Sequence, residues 1–147
     1  DGLTLRIDAD RYLPTDATAL PTGQIAPVAG TRFDFRTPRA LTPADRIDHN
    51  FCLSDDDAPR RPVARLEAPG GPAMVLETTA PGLQVFTADG FRCDLPGHGG
   101  VPHGRRCGLA LEPQGWPDAA NRAGFPPIRL APGETWRQDT VWRFERL

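Results

Sequence analysis

The stretch ETWRQDTVWRFERL, from Glu134 to Leu147, alternates between two sets of side chains. One set is Trp136, Gln138, Thr140, Trp142 and Phe144, and the other is Arg137, Asp139, Val141, Arg143 and Glu145. Successive side chains of an extended strand point to opposite faces, so a two-residue period of this length predicts a β-strand. The fold class therefore depends on whether the same period recurs elsewhere in the chain.

The alternation does recur, in the three shorter stretches LTLRI (3–7), GLQVFT (82–87) and GLALEP (108–113). The run AMVLETT (73–79) predicts another strand. The chain has 17 Pro and 15 Gly, which form turns between these stretches and would interrupt long helices. Short strands separated by turns predict an all-β fold, an antiparallel β-sandwich. We expect the irregular segments 14–48 and 91–106 to be binding loops, and a simple connecting role is an equal alternative for the second.

Composition limits the classes of function. The length of 147 residues predicts one domain, residues 1–147, and the start at Asp1 rather than Met suggests a processed or trimmed product. A net charge of −2 argues against a nucleic-acid partner, and no apolar run approaches the roughly 20 residues of a membrane span. We expect the three cysteines to be reduced and mostly buried, and His98 and His103 to lack the further ligands that a metal site needs.

Four polar groups lie within or beside the apolar stretches. They are the segment DHN (48–50), Gln84, Glu112 and the segment PDAAN (117–121). Each has an ordinary explanation by itself, because Asp often caps turns and most Gln and Glu side chains face solvent. Their order along the chain is what makes them informative.

The ordered segments PTGQIAPVAGTRFDFRTP, DHNF, PGLQVFT and LALEPQGWPDAANRAGFPPIRLAPGETWRQDTVWRF resemble the aldose 1-epimerase (galactose mutarotase) family. The resemblance runs over nearly the whole chain and corresponds to about the C-terminal half of the usual family domain. It implies a large antiparallel β-sandwich, the supersandwich, with a sugar held in a cleft on one sheet. On this basis residues 1–147 are the C-terminal portion of one such domain.

The resemblance also implies an activity and a site. Family members interconvert the α and β anomers of a free aldose such as galactose or glucose. The family's catalytic base matches Glu112, and its sugar-binding Asp and Gln match Asp48 and Gln84. A partly covered sheet face would raise the pKa of Glu112 by desolvation, and Phe51, Phe86 or Trp116 could pack on the sugar ring. No metal or organic cofactor is expected because both steps are proton transfers, and a cytoplasmic location is expected.

One part of the family pattern is missing. The two family histidines, one of them the general acid, belong to segments N-terminal to LTLRIDADRYLPTD, and His49, His98 and His103 match neither of them. We therefore expect a partner besides the monosaccharide, namely the N-terminal half of the domain in the same or a separate chain. Without that half, a base alone should be a weak catalyst.

Three other interpretations stay open at this point. The same cleft could serve a carbohydrate-binding β-sandwich that has no catalytic activity. A hexose-6-phosphate 1-epimerase would need a cationic phosphate pocket, for which Arg105 and Arg106 are candidates. A purely structural β-domain would leave Glu112 solvated and far from Asp48.

Overall fold

The computed structural model describes residues 2–56, 58–93 and 95–146, so Leu147, the last residue of the opening stretch, lies outside it. The strands are β1 (Thr4–Ile7), β2 (Arg11–Tyr12), β3 (Ala26–Pro27), β4 (Arg39–Ala40), β5 (Asp48–Cys52), β6 (Arg61–Glu67), β7 (Pro72–Thr78), β8 (Gly82–Phe86), β9 (Ala110–Gln114) and β10 (Thr140–Arg146). The helical content of the described residues is two 3₁₀ turns, at His98–Gly100 and Ala119–Asn121. No helix in the described residues is long and apolar enough to cross a membrane.

The strands form two five-stranded sheets in which every pairing is antiparallel. The first sheet has the order β10-β7-β6-β1-β4, and the second has the order β3-β2-β5-β8-β9. The predicted antiparallel all-β sandwich is therefore confirmed. Strands that follow each other in the chain often do not pair in a sheet. For example, β1 and β2 are consecutive but lie in different sheets.

One hydrophobic cluster contains buried side chains from strands of both sheets. Leu5 and Ile7 of the first sheet share it with Leu83, Val85 and Leu111 of the second. These are the residues whose alternation predicted β1, β8 and β9, so the apolar face of each strand is the inner face. The polar members of β8 and β9 consequently project from the outer face of the second sheet.

Some sequence expectations were wrong in detail. Polar and apolar residues alternate in residues 134–139, but this segment is not a strand. The partner strand of β10 is β7, which ends at Thr78, opposite Thr140, so the pairing stops there. Strand β6 was not predicted, since Pro62 and three arginine or glutamate positions obscure its period. Segment 14–48, expected to be irregular, contains the two-residue strands β3 and β4.

The cysteines also differ from the expectation that most of them are buried. All three are free thiols, as expected, but only Cys52 is buried, whereas Cys93 is half-exposed and Cys107 is exposed. Cys52 belongs to β5, and the other two lie in the irregular connection between β8 and β9. A connection on the surface cannot bury its side chains as a central strand does.

Candidate functional site

Three neighbouring strands of the second sheet bring the predicted site residues to one face. Strand β5 pairs with β8, and β8 pairs with β9. In register, Asn50 lies opposite Gln84, and Gln84 lies opposite Glu112. Asp48 is two residues from Asn50 and therefore shares its face. Their neighbours Phe51, Leu83 and Leu111 point the other way into the core.

Asp48 and Gln84 are in direct contact. The Gln84 side-chain amide donates a hydrogen bond from Nε2 to Oδ1 of Asp48 over 2.7 Å. Asp48 is exposed and Gln84 is half-buried, so the pair sits at the surface of the sheet. Oδ2 of Asp48 and Oε1 of Gln84 make no hydrogen bond within the described residues and can accept from a ligand.

A shallow depression lies over these side chains. Its volume is about 370 Å³, and its lining residues are Asp48, Gln84, Phe86, Glu112, Gln114 and Pro117. The depression thus contains Asp48, Gln84 and Glu112, the three residues to which the resemblance gave a catalytic or sugar-binding role. It also contains Gln114 and Pro117, which the sequence placed in the same segment as Glu112 without a role of their own.

The floor beside the depression is tightly packed. Gly82 pairs with Gln114, and a Cβ atom at Gly82 would lie 2.5 Å from Oδ1 of Asn50 and 3.1 Å from the backbone oxygen of Gln114. Trp116 is buried next to it and donates a hydrogen bond from Nε1 to the carbonyl oxygen of Pro81 over 2.9 Å. These contacts fix β8 against β9 close to the site. The only sequence signal for Gly82 is its position as the first residue of the alternating stretch GLQVFT.

A polar network holds the start of β5, where Asp48 is located. The Thr87 hydroxyl accepts from the backbone N–H of Ile47 and contacts the carbonyl oxygen of the same residue. Thr87 also donates to Asp89, which is paired with Arg106 at 3.2 Å. Burial raises the pKa of Asp89, but the hydrogen bonds from Thr87 and Arg106 outweigh it and lower that pKa overall. The network joins the ends of β5 and β8, so it positions Asp48 relative to Gln84.

The histidines lie away from the depression. His49 is half-buried on the opposite face of β5, where its Nε2 is 3.4 Å from the Thr15 hydroxyl and its ring centroid is 4.5 Å from that of Phe33. Burial and the nearby charge of Arg32 lower the pKa of His49. His98 and His103 are exposed in the connection between β8 and β9. No group of three His, Cys, Asp or Glu side chains in residues 2–56, 58–93 and 95–146 could hold a metal ion.

Most of the remaining candidate residues have structural roles. Phe51 and Trp116 are buried in hydrophobic clusters, so of the three aromatic candidates only Phe86 lines the depression. Asp118 forms the turn after β9, where its carboxylate accepts from Nδ2 of Asn121 and from Nε of Arg122, each over 2.7 Å. The PDAAN segment is therefore a hydrogen-bonded turn at the end of the site strand.

Glu112 differs from one expectation. The residue is exposed, so the described residues do not provide the partly covered sheet face that was expected around it. Any such cover would have to come from outside these residues.

The geometry can be compared with known proteins. The family model described as aldose 1-epimerase matches residues 1–143. The chain belongs to the aldose 1-epimerase family. The family relationship expected from the ordered motifs is thereby confirmed.

The family relatives include animal and bacterial proteins. The chain is 39% identical to human galactose mutarotase over 144 residues, which is 94% of this chain and 42% of that protein. It is 33% identical to the aldose 1-epimerase of Escherichia coli K12 over 153 aligned positions, which is 95% of this chain and 44% of that protein. This chain therefore spans less than half the length of these relatives.

Solved structures of the family have the same fold. An aldose epimerase homologue from C. elegans superposes with a TM-score of 0.90 and 26% identity, covering 99% of this chain and 46% of that one. Galactose 1-epimerase from Lactobacillus acidophilus superposes with a TM-score of 0.66 and 27% identity, covering 98% and 44%. The two sheets described above are thus a family architecture found within chains about twice as long.

Proposed function

We propose that this chain supplies the general base and the sugar-binding side chains of an aldose 1-epimerase. The substrate would be a free aldose such as galactose or glucose, and the reaction would interconvert its α and β anomers. The observation that carries the proposal is the common outer face of β5, β8 and β9. There Gln84 donates to Asp48 over 2.7 Å and Glu112 lies directly opposite Gln84.

The Asp48–Gln84 pair suits the recognition of vicinal hydroxyl groups. An ionised carboxylate only accepts hydrogen bonds, whereas a carboxamide both donates and accepts. The bond between them orients both groups before a sugar arrives, which reduces the entropy lost on binding. Phe86, at the edge of the same depression, offers an apolar surface to the C–H groups of the ring.

Glu112 suits the role of the base that the resemblance assigns to it. As a carboxylate it takes the proton of the anomeric hydroxyl, and the electrons of that O–H bond form the C1 carbonyl while the bond from C1 to the ring oxygen breaks. A general acid gives a proton to the ring oxygen. Rotation about C1–C2 then presents the other face of the carbonyl, and the reverse proton transfers close the ring.

The general acid would come from the rest of the family domain. The residues that line the depression include two carboxylates but no histidine. The resemblance assigns the acid to an N-terminal histidine, and this chain spans 42% of the length of human galactose mutarotase. We infer that the N-terminal half, in the same or a separate polypeptide, completes the site and covers Glu112.

Polarimetry of galactose and glucose tests this function in the assembly that contains the remainder of the domain. Glu112→Gln keeps the size of the side chain and removes its basicity. We expect mutarotation to slow by at least about 100-fold, the lower end of general-base contributions. Glu134→Gln is the matched control, because Glu134 is an exposed loop acid outside the depression, and its rate should be unchanged. A near-normal rate for Glu112→Gln would refute the assignment.

One observation favours a second candidate, a sugar-binding module without catalysis. The side chains that line the depression include several hydrogen-bonding groups. Besides Glu112, the acidic side chain among these lining residues is Asp48. Calorimetry separates the two, since a binding module would take up galactose without accelerating its mutarotation. The phosphosugar alternative is less well supported, because Arg106 is paired with Asp89 and neither Arg105 nor Arg106 lines the depression.

A further inference from the structure

The imidazole of His49 makes a polar contact through each of its two nitrogens. The backbone N–H of Asp48 donates to Nδ1 of His49 over 3.2 Å. Nε2 lies 3.4 Å from the hydroxyl oxygen of Thr15, in the connection between β2 and β3. Because the backbone N–H can only donate, Nδ1 accepts, and the neutral ring then carries its proton on Nε2 and donates it to Thr15. The ring therefore joins the backbone of a candidate sugar-binding residue to a neighbouring loop.

Strand pairing explains why the N–H of Asp48 depends on this ring. The backbone oxygen of Ile47 accepts from the segment that follows β8, whereas that of Asn50 accepts from the N–H of Leu13, which follows β2. Because backbone groups alternate in direction along a strand, the N–H of Asp48 faces the same side as the groups of Asn50. The pairing of β2 with β5 covers residues 51 and 52 of β5, so this N–H lies beyond its end. The imidazole takes the place of a strand partner.

The surroundings of the ring favour its neutral form. The His49 side chain is half-buried, and its ring centroid lies 4.5 Å from that of Phe33 and 6.0 Å from that of Tyr12. Burial is the main cause that lowers the pKa of His49, the charge of Arg32 lowers it further, and the charge of Asp48 opposes both. The imidazole is therefore neutral at pH 7, which is the state in which Nδ1 can accept a hydrogen bond.

We propose that His49 is a positioning residue, which holds Asp48 for sugar binding while the imidazole is neutral and releases it when the ring is protonated. An imidazolium has an N–H at both nitrogens, so Nδ1 would then face the N–H of Asp48 donor to donor. Asp48 accepts from Gln84 on the other face of the sheet, so a shift of its backbone disturbs the pair. The inference rests on the proposed function, in which these two side chains bind the sugar.

The proposal fixes the direction of the pH dependence. The pKa of the folded ring lies below the usual value of about 6.5. The contribution of His49 to sugar affinity is therefore complete above about pH 6.5 and is lost as the pH falls through the lower pKa of the folded ring.

Two amide substitutions separate the Nδ1 contact from the space that the ring fills. His49→Asn places a carboxamide oxygen near the position of Nδ1 and keeps an acceptor for the N–H of Asp48. His49→Gln is closer in size to the ring, but its amide lies near the position of Nε2, so this acceptor is lost. A residue that only fills space would tolerate Gln better than Asn, whereas the positioning role requires the opposite order.

Polarimetry of galactose in the assembly with the remainder of the domain measures this order. We expect His49→Asn to keep a KM close to that of the unmodified protein. His49→Gln should raise KM about 3- to 10-fold, the equivalent of one ordinary hydrogen bond. It should change kcat by less than about twofold, because binding lost equally from substrate and transition state alters KM alone. Equal effects of the two variants, or the reverse order, would overturn the inference.

A matched control is His103→Asn, which makes the same exchange at an exposed histidine in the connection between β8 and β9 and should change neither KM nor kcat. The pH dependence is read as the ratio of KM in the unmodified protein to KM in His49→Asn, because titration of Glu112 and of the general acid is common to both. We expect a ratio near one at pH 7.5 that rises at least about threefold as the His49 ring becomes protonated. A ratio that stays constant while the ring titrates would overturn the inference, and circular dichroism checks that both proteins stay folded at each pH.

Nitrogen NMR of the ring tests the geometry without relying on activity. Two-bond ¹H–¹⁵N correlations at pH 7.5 should show a neutral His49 with its proton on Nε2, and the same spectra follow its titration. A proton on Nδ1, or a charged ring at pH 7.5, would overturn the inference whatever the catalytic rate.

Calorimetry of galactose binding separates this inference from the proposed function. Sugar affinity that follows the predicted order of the Asn and Gln variants, without mutarotation, leaves the inference standing and counts against the proposed function. Normal mutarotation with a KM indifferent to His49 does the reverse. Absence of galactose binding by the unmodified assembly overturns both.

Discussion

Replacement of Asp45 by Asn should weaken the fold in a way that depends on pH. Asp45 is buried just before β5, and its carboxylate accepts four hydrogen bonds. Nη1 and Nη2 of Arg39 donate at 3.1 and 2.8 Å, and the backbone N–H and hydroxyl of Thr42 each donate at 2.8 Å. The backbone oxygen of Asp45 also accepts from Arg106, so this cluster helps to hold the segment that leads to Asp48.

The expected loss in the free energy of unfolding follows from the pKa of Asp45. Burial raises that pKa, but the hydrogen bonds from Arg39 and Thr42 outweigh burial and lower it from 3.8 to about 2. A folded-state pKa below the unfolded one stabilises the protein above the unfolded pKa, and this stability is lost as the pH falls through the folded pKa. At about 1.4 kcal/mol per pKa unit, the contribution is about 2 kcal/mol at pH 7, about 1 kcal/mol at pH 3 and under about 0.5 kcal/mol at pH 2.

Urea unfolding of the chain and of Asp45→Asn, followed by circular dichroism between pH 7 and pH 2, measures this difference. We expect the variant to be less stable by about 2 kcal/mol at pH 7 and the two curves to converge below pH 3. Asp55→Asn is the control, because the Arg11–Asp55 pair is exposed and should contribute little at any pH.

A difference in unfolding free energy that stays constant from pH 7 to pH 2 would refute the reasoning. It would mean that the cost of Asp45→Asn comes from packing or from the amide geometry, and that the Arg39 and Thr42 contacts do not shift the carboxyl pKa. A full-sized difference for Asp55→Asn would equally show that burial is not what distinguishes the two carboxylates.

Three further predictions concern the packing near the site. Gly82→Ala should lower the free energy of unfolding by about 1–3 kcal/mol in urea titrations, because its Cβ atom would lie 3.1 Å from a backbone oxygen of β9; an unchanged midpoint would contradict the tight packing. A thiol reagent at pH 8 should modify exposed Cys107 at once but Cys52 only after unfolding, since burial raises the pKa of Cys52 to about 12, and equal rates would contradict this. Trp116→Phe removes one of the three hydrogen bonds that the Pro81 carbonyl accepts, since the backbone N–H groups of Leu53 and Ser54 also donate to it, and should cost about 0.5–1.5 kcal/mol, with red-shifted emission because the remaining tryptophans are exposed; unchanged stability would argue against the hydrogen bond.

The strands that sequence reasoning found are those whose period is clear along the chain. The inner faces of β1, β8 and β9 follow directly from Leu and Val residues two positions apart. The two-residue period led to two errors, one strand that it missed and one that it made too long. It missed β6, where Pro62 and charged residues interrupt it, and it extended β10 to residues 134–139, which lie beyond the end of the partner strand β7.

The sequence by itself determined the two-residue period and the order of the family motifs, and it singled out Asp48, Gln84 and Glu112 as candidate site residues. Only the tertiary structure decided that these residues share one depression, because each comes from a different strand and the bonded pair is separated by 36 positions. It also decided that His49 lies on the other face and that Trp142 is uncovered. Alternation is a local property of an extended backbone, whereas the choice of neighbouring strands depends on which distant apolar faces are buried together.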